Sequence, residues 1–142
     1  LFARLQAWVP VVPLAGPNTR FQPVWVQDVA TAIVHALTHR DTIGRCFELG
    51  GPHIFTLREL VQHAGRWAGH PRPVIGLPTG LAYAQAWLME CMPGAPLISR
   101  DNLASMQVDN VLRGDLAGLL ELGVPHPAHL GSVFPVKPQG LL

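Results

Sequence analysis

Residues 19–33, TRFQPVWVQDVATAI, contain the pattern that decides the fold: a short apolar run, an acid and then a helical repeat. Residues 21–26 predict a strand, and Pro23 indicates an edge strand or a strand start. Asp28 is expected to cap a helix that ends near residue 39 or 40, because its carboxylate can accept from the free N–H groups of the first turn. Apolar residues at helical spacing predict the buried face: Val29, Ala32, Ile33, Ala36 and Leu37.

A second strand and helix are predicted in residues 46–69. CFELGG, residues 46–51, is typical of a strand that ends in a sharp glycine turn. Thr56 and Glu59 form a capping-box pattern, in which each side chain accepts from the backbone N–H of the other residue. Gly69 and Pro71 are expected to end the helix. The predicted buried stripe of this helix consists of Leu57, Leu60, Val61, Ala64 and Ala68.

Later segments continue the alternation of extended and helical patterns. RPVIGLP, residues 72–78, predicts a short extended segment, and residues 79–92 predict a buried helix because they are mostly apolar. Ser99 is expected to cap a further helix through Met106, and residues 115–122 predict a short helix ended by Gly123. Since strands alternate with helices, the fold class is α/β or α+β.

The composition limits the classes of function. Charged residues make up 13% of the chain and hydrophobic residues 49%, whereas a charged content of about 25% is usual. Two interpretations remain open: another polypeptide covers part of the surface, or the chain is a compact domain with a mild surface. The net charge of +1 gives no basis for a nucleic-acid partner. Residues 1–142 are long enough for a single domain with a core.

Cys46 and Cys91 are far apart and form no C-x-x-C motif, so both are expected to be reduced, buried small hydrophobes. No stretch reaches the length of an apolar transmembrane helix, and the first residues lack the pattern of a signal peptide. These features predict a cytoplasmic protein. Because the chain does not begin with Met, a fragment of a longer protein is expected.

Several catalytic and phosphate-binding motifs are absent from the sequence. It contains no G-x-G-x-x-G, no G-x-x-x-x-G-K-[ST] and no G-x-S-x-G. GGPH, residues 50–53, is expected to be a turn rather than a phosphate-binding loop. Tyr83 is the single tyrosine and Lys137 the single lysine, so they cannot make a Tyr-x-x-x-Lys pair on one helix. No catalytic residue is predicted.

The histidines allow a metal interpretation that the rest of the sequence does not support. His35 and His39 are one helical turn apart, which suits two metal ligands. No third ligand is evident, so exposed histidines are the better interpretation, and the same holds for His126 and His129. No metal site is predicted. An aromatic and thioether stripe belongs either to the core or to an apolar pocket: Tyr83, Trp87 and Met92.

Arg20, at the start of the predicted strand, has a structural and a functional interpretation. It is a solvated arginine, or it binds an anionic or strongly polar substrate group, because a guanidinium offers forked donors suited to phosphate or carboxylate. Gln22 would point to the same face of the strand and could add a hydrogen bond. Arg100 and Asp101 are further candidates for substrate binding, although helix-start electrostatics explain Asp101 equally well.

The order of four segments resembles the C-terminal half of an atypical or extended short-chain dehydrogenase/reductase, of the NAD-dependent epimerase/dehydratase-like kind. The segments are RFQPVWVQDVATAIVHAL (20–37), GRCFELGGPHIFTLRELVQHAGRWAG (44–69), RPVIGLP (72–78) and ISRDNLASMQVDNV (98–111). Within that family the chain resembles the group around the nucleotide-binding accessory subunit of respiratory complex I. The resemblance extends to about residue 124, and the final GSVFPVKPQGLL departs from it.

This resemblance implies an α/β fold, namely the C-terminal portion of a Rossmann-like short-chain dehydrogenase/reductase with its smaller substrate-side lobe. The family's Gly-rich dinucleotide site and its Tyr/Lys position lie in an N-terminal half that would precede Leu1. NAD(P) is therefore expected in the full-length protein and no cofactor in this fragment. In nucleotide-sugar epimerases a related arginine contacts the diphosphate of the substrate, and Arg20 matches it.

The resemblance also implies two alternative functions. The first is the substrate-side part of a nicotinamide-binding dehydrogenase or epimerase-like protein, which is not catalytic as this fragment. If the full-length protein is an enzyme, it would be an NAD(P)-dependent oxidoreductase or epimerase. The second is a non-catalytic NAD(P)-binding scaffold or sensor whose lobe docks a protein partner. Expected partners are the missing N-terminal half, a second copy of the chain or a respiratory-chain-type protein, in the cytoplasm or peripheral to a membrane.

Overall fold

A computed structural model describes residues 6–91, 99–114 and 118–134 of the chain. The strands are short: β1 (Val12–Leu14), β2 (Arg20–Phe21), β3 (Phe55–Thr56) and β4 (Val74–Gly76). The helices are α1 (Val26–Thr38), α2 (Leu57–Trp67), α3 (Thr79–Glu90), α4 (Arg100–Ser105) and α5 (Leu130–Val133), and Arg40–Thr42 forms a 3-10 turn. This mixture of helices and small sheet agrees with the predicted α/β class. None of the helices in the described ranges is long and apolar enough to cross a membrane.

The described residues form two compact units. Unit 1 contains residues 6–20, 55–91 and 99–109, and unit 2 contains residues 21–54, 110–114 and 118–134. The chain passes from unit 1 to unit 2 within β2, returns after Ile54 and leaves again after Asp109. Each unit is therefore built from segments that are distant in sequence.

Unit 1 contains a parallel strand pair beside helix α2. Strands β1 and β4 pair in the register Val12↔Val74 and Leu14↔Gly76, and the alternation along β1 buries Val12 and Leu14 while exposing the residue between them. The predicted capping box at the start of α2 is confirmed. Thr56 Oγ1 accepts from the backbone N–H of Glu59 at 3.2 Å, and Glu59 Oε2 accepts from the Thr56 N–H at 2.7 Å.

The predicted end of α2 agrees with the structure, and its predicted buried stripe agrees in part, since Leu60, Ala64 and Ala68 are only half-buried. The helix ends at Trp67, with Gly69 at a positive φ of 75°, a conformation that glycine adopts readily. Leu57 and Val61 are buried, as their helical spacing predicts. This short region, from cap to stop, was predictable because all its determinants lie within about four turns of chain.

A buried glutamine, which the sequence did not reveal, joins the first residues of unit 1 to α2. Gln6 has no exposed surface and donates from Nε2 to the Val61 carbonyl oxygen at 2.8 Å. Its Oε1 accepts from the Arg72 N–H at 3.3 Å. A Cβ on Gly65 would lie 2.1 Å from Gln6 Oε1, so glycine leaves the space that the glutamine occupies.

Helix α3 covers residues 79–90 but is not the buried helix that its apolar sequence predicted. Its small residues Ala82 and Ala86 are buried with Ala15 and Leu103 in the core of unit 1. Larger apolar side chains on other faces are exposed: Leu81, Trp87 and Leu88. An apolar composition predicts burial only where another element covers the helix, and here the covered face carries Ala82, Ala86 and the half-buried Tyr83.

Unit 2 is organised around helix α1. Ala32 is fully buried and forms a cluster with Leu119, Leu122 and Val124. The sequence predicted a strand over residues 21–26, but β2 ends at Phe21 and α1 already begins at Val26. The prediction was wrong because the apolar run contains the first turn of the helix rather than a longer strand.

Asp28 is not the N-cap that the sequence predicted. The cap position is Trp25, and no side chain caps the helix there. Asp28 lies in the first turn, and its Oδ2 accepts from the N–H of Ala128 at 2.8 Å. The carboxylate thus binds a loop 100 residues away in sequence. A contact of this separation cannot be predicted from the residues around Asp28.

Three further predictions are corrected in the described residues. CFELGG contains only an isolated bridge residue, Phe47, and not a strand. Cys46 and Cys91 are free as expected, but both are exposed rather than buried. Residues 119–123 form turns instead of a helix, with Gly123 at a φ of 76°. Met92, residues 115–117 and residues 135–142 lie outside the described ranges.

Candidate functional site

Arg20, the first candidate substrate-binding residue, is held by a carboxylate in unit 1. Its Nε donates to Asp109 Oδ2 and its backbone N–H to Asp109 Oδ1, each at 2.8 Å. These bonds, from the backbone first and then the side chain, lower the pKa of Asp109. The Arg20 side chain remains 56% exposed, so the contact leaves much of the guanidinium open to solvent.

Gln22 has a structural task within unit 2. Its Nε2 donates to the Gly51 carbonyl oxygen at 2.7 Å, and its Oε1 accepts from the Leu112 N–H at 3.0 Å. Both ends of the amide are therefore bonded to backbone groups, and the side chain is partly buried. These bonds explain why glutamine suits this position, and substrate binding by Gln22 stays a prediction.

Gly50 and Gly51, which lie near Gln22, allow close packing of the backbone and do not form a phosphate-binding loop. A Cβ on Gly51 would lie 2.0 Å from the Pro23 carbonyl oxygen, and one on Gly50 would lie 2.7 Å from Leu112 Cγ. Both glycines are buried, so their backbone is in contact with protein instead of facing an open site. The GGPH segment does not fit the pyrophosphate of a dinucleotide, which needs accessible backbone N–H groups.

Arg100 and Asp101 lie at the start of α4 in unit 1. Arg100 donates from Nε to Glu90 Oε2 at 2.8 Å and from its backbone N–H to Glu90 Oε1 at 2.7 Å. The backbone bond is the main cause that lowers the pKa of Glu90. Asp101 is exposed in the first turn, where a negative charge favours the helix. Ser99 accepts from the Asn102 N–H at 3.2 Å and caps α4, as predicted.

The two arginines thus share one arrangement, in which a carboxylate accepts from both the backbone and the side chain of the same residue. Asp109 follows Arg20 by 89 residues, and Glu90 precedes Arg100 by 10. Neither acid was recognised in the sequence. For Glu90 the short separation could have suggested the pair, whereas nothing local connects Arg20 with Asp109.

Helix α1 exposes a line of apolar residues, and two of them, Ile33 and Leu37, were predicted from the sequence to lie in the buried face. Ile33 is 52% exposed and Leu37 81% exposed, and Val26 is 63% exposed. With Ala30, which is also exposed, these residues recur at helical spacing and form one line along the helix. We call Val26, Ala30, Ile33 and Leu37 the α1 stripe.

An apolar groove adjoins the N-terminal end of the α1 stripe. It has a volume of about 300 Å³ and is lined by Pro23, Val24, Trp25, Val26, Ala128, Leu130, Val133 and Phe134. The Trp25 and Phe134 rings meet edge to face at a centroid distance of 6.2 Å. Since Val26 belongs to both features, the groove and the stripe form a continuous apolar surface on unit 2.

Neither the histidines nor Tyr83 builds a reaction centre in the described parts of the chain. The His35 and His39 rings stack at 3.7 Å, and His53 Nε2 lies 2.8 Å from His129 Nδ1. No cluster of three or more His, Cys, Asp or Glu side chains that could hold a metal is found among the described residues. Tyr83 packs on the core of unit 1, and its hydroxyl accepts from Gln107 Nε2 at 3.1 Å.

No family model matches the chain, but curated proteins do. It is 33% identical over 132 residues to the NADH dehydrogenase (ubiquinone) 1 alpha subcomplex subunit 9, mitochondrial, of Mus musculus, covering 89% of this chain and 34% of that protein. The protein of the same name from Rattus norvegicus is 32% identical with the same coverage. That from Arabidopsis thaliana is 29% identical over 136 residues, covering 89% of this chain and 33% of its own length.

The chain spans about a third of the length of these curated relatives. The resemblance to accessory subunits of complex I, which four sequence segments carried, is confirmed by these identities. These three relatives, to which about nine tenths of the chain is similar, are thus all mitochondrial NADH dehydrogenase (ubiquinone) subunits.

Proposed function

We propose that the chain is the substrate-side portion of a short-chain dehydrogenase/reductase-like protein that has no catalytic role and docks in a respiratory NADH dehydrogenase assembly. The observation that carries this proposal is the 33% identity to a subunit of that enzyme over 89% of the chain. In this proposal the protein works at the periphery of a membrane as part of a larger complex.

The polar contacts support a non-catalytic role. Arg20 and Arg100, the arginines predicted from the sequence to bind substrate, are each bonded twice to a carboxylate. The Gln22 amide is bonded at both ends to backbone groups. These contacts order the structure without presenting an acid, a base or a nucleophile in a shared cleft.

NAD(P) binding is proposed for a longer protein and not for the residues described here. The buried Gly50–Gly51 pair has no room for a phosphate. A Gly-rich turn at a helix N-terminus, which would supply N–H groups to the pyrophosphate, would have to come from a different segment. A bound dinucleotide would supply hydride-transfer chemistry in an enzyme and structural order in a scaffold.

We assign docking to the α1 stripe and the adjoining groove. The α1 stripe is apolar and exposed, and the groove is apolar and lined mostly by half-buried side chains. The only acidic residue of α1, Asp28, is bonded to the Ala128 N–H of the same unit. Such a surface fits an apolar polypeptide face rather than a charged partner. The covering polypeptide is a neighbouring subunit or the remaining part of a longer chain related to subunit 9.

A second candidate function is binding of an anionic substrate group by Arg20, with Gln22, Arg100 and Asp101 as further contacts. The favourable observation is the 56% exposure of the Arg20 side chain. Its Nε is used by Asp109, while a guanidinium carries four more N–H donors on its terminal nitrogens. This function would suit a full-length oxidoreductase or epimerase.

The docking proposal is tested with the tagged protein expressed in its native cells. Membranes are solubilised mildly, separated on native gels and stained for NADH dehydrogenase activity, and the tag is detected in the same lanes. We expect the tag in the activity band. Leu37→Asp should lower the fraction of tagged protein in that band at least about fivefold, because the new charge would be buried without a partner in the interface.

Leu120→Asp is the matched control for this experiment. Leu120 is 71% exposed in unit 2 but does not belong to the α1 stripe. The fraction of the tagged Leu120→Asp protein in the activity band should therefore equal that of the unchanged protein. A tag that never enters the band overturns the proposed function. A tag in the band that is indifferent to Leu37→Asp shows that another surface does the docking.

A further inference from the structure

The charges of unit 1 are distributed unevenly. Its carboxylates are largely engaged: Glu90 binds Arg100, Asp109 binds Arg20, and Glu59 belongs to the capping box. Three other arginines of unit 1 have no carboxylate within ion-pair distance among the described residues: Arg58, Arg66 and Arg72. Unpaired guanidinium groups that lie close together favour an anion.

Two of these arginines line one open groove. The groove has a volume of about 470 Å³ and is formed by Gln62, Arg66, Pro71, Arg72 and Pro73. Among the residues that the structure describes, the lining contains no acidic side chain, and its other groups are one amide and two prolines. An anion in this groove would meet two positive groups and no opposing charge.

Arg72, which lines this groove, is bonded twice to Gln6. Its Nε donates to the Gln6 carbonyl oxygen at 3.2 Å, and its backbone N–H donates to Gln6 Oε1 at 3.3 Å. Gln6 itself is fully buried and bonded to Val61. Prolines on both sides of Arg72 further restrict the backbone. The terminal nitrogens of Arg72 are thus presented by a rigid support, which lowers the entropy cost of binding.

A simpler explanation accounts for one arginine but not for both. Arg66 lies in the last turn of α2, where a cation interacts favourably with the helix dipole. Its Nε lies 3.5 Å from the Gln62 carbonyl oxygen of the previous turn. Arg72 lies beyond the helix and is attached instead to the buried Gln6. The dipole therefore does not explain why a second guanidinium is fixed in the same groove.

We propose that the groove of Arg66 and Arg72 binds a phosphate group. Two guanidinium groups offer forked donors to several oxygens of one phosphate, which is geometry that a single lysine or a lone arginine cannot match. The phosphate belongs either to a soluble phosphate ester or to the headgroup of an anionic lipid. This site differs from the candidate residues Arg20, Gln22, Arg100 and Asp101 and is independent of the docking proposal.

The test uses the whole chain and two probes. Inorganic phosphate is titrated by calorimetry at constant ionic strength. Vesicles of phosphatidylcholine, with or without about 30% phosphatidylglycerol, are sedimented with the protein to detect binding to an anionic headgroup. Arg66→Gln should weaken whichever binding is seen by about tenfold or more, as expected for loss of a charge-assisted hydrogen bond. Arg66 is exposed, so its replacement should remove only the favourable interaction with the helix dipole and lower the melting temperature by no more than a few degrees.

Further variants make the result decisive. Arg72→Gln should weaken binding similarly, although it also removes a contact to Gln6. Arg40→Gln, an exposed arginine of unit 2, is the control and should change binding less than about twofold, as for a surface charge outside the site. Saturable phosphate binding without sedimentation supports a soluble ester, and sedimentation that requires phosphatidylglycerol supports a lipid headgroup. No binding of either probe, or binding that Arg66→Gln leaves within about twofold, overturns the proposal.

Discussion

Helices α1 and α2 have similar lengths, but apolar residues are confined to one face of α2 and spread over more of the surface of α1. Helix α2 is capped by its own Thr56 and Glu59 and buries Leu57 and Val61. Helix α1 has no side-chain cap, buries only Ala32 fully and exposes the α1 stripe. A periodic apolar pattern predicts that a helix forms, but it does not tell which of its faces the remaining chain will cover.

The contacts that hold the N-terminal ends of the two helices differ in their separation along the sequence. The start of α2 is fixed by residues within one turn. The start of α1 depends on residues far away in sequence, since Asp28 binds Ala128 and the preceding Pro23 lies against Gly51. Long-range supports of this kind are disrupted by changes outside the helix, whereas a local cap is disrupted only by changes to itself.

The largest effect should come from Gly51→Ala, which tests the long-range support of α1. The added Cβ would lie 2.0 Å from the Pro23 carbonyl oxygen, so the backbone before α1 must move. We expect a loss of about 3 kcal/mol in the free energy of unfolding, measured by urea denaturation. Gly131→Ala is the control, because nothing lies within 4 Å of a Cβ at that glycine. A loss below about 1 kcal/mol for Gly51→Ala would show that the segment before α1 adjusts easily.

A smaller effect is expected from Thr56→Ala, which removes the local cap of α2. The Glu59 N–H loses its acceptor, and the free energy of unfolding should fall by about 1 kcal/mol. Thr56→Ser keeps the hydroxyl and should restore most of this loss. If the alanine and serine variants denature at the same urea concentration, the capping box does not contribute measurably.

The smallest effect should be a change in the pH dependence of stability caused by His63 on α2. Partial burial, followed by the charge of Arg66, lowers the pKa of His63 from its usual value of 6.5. The folded state therefore disfavours the proton, and stability is highest above pH 6.5 and falls as the pH drops from there through the lower pKa of the folded state. His63 packs between Phe55 and Trp67, so His63→Phe should fit the site and flatten this decline.

The measurement compares the free energy of unfolding at pH 7.5 and pH 5.5. His70→Phe is the control, because His70 is exposed in the same unit and its replacement should leave the decline in place. Glu59 acts in a separate, lower window. Hydrogen bonds from Thr56 lower its pKa below 4.5, so the stability it contributes is lost only in more acidic solution. An unchanged decline in His63→Phe would assign the pH dependence to other groups.

Much of unit 1 was predictable because its determinants are local. The capping box, the glycine that ends α2, the serine that caps α4 and the short strand before α3 all follow from spacing along the chain. The buried Gln6 was not predictable, since a glutamine near an apolar segment carries no sign that it will bind Val61 and Arg72.

The candidate site shows the same limit. Arg20 and Arg100 were identified as arginines of interest, but Asp109 and Glu90 decide how their side chains are held. Gln22 was placed in a substrate site by its position next to Arg20, while its partners Gly51 and Leu112 lie 29 and 90 residues away. Such contacts depend on how distant segments come together, which local spacing does not encode.

The two cysteines give the molecule a practical property. Cys46 lies in unit 2 and Cys91 in unit 1, and both thiols are exposed. They are the only cysteines of the chain, so a thiol-reactive dye attaches once to each unit without any engineering. A Cys46→Ser or Cys91→Ser change directs a single label to the other unit. The same accessibility leaves both thiols open to air oxidation, so a concentrated stock is best kept with a reductant.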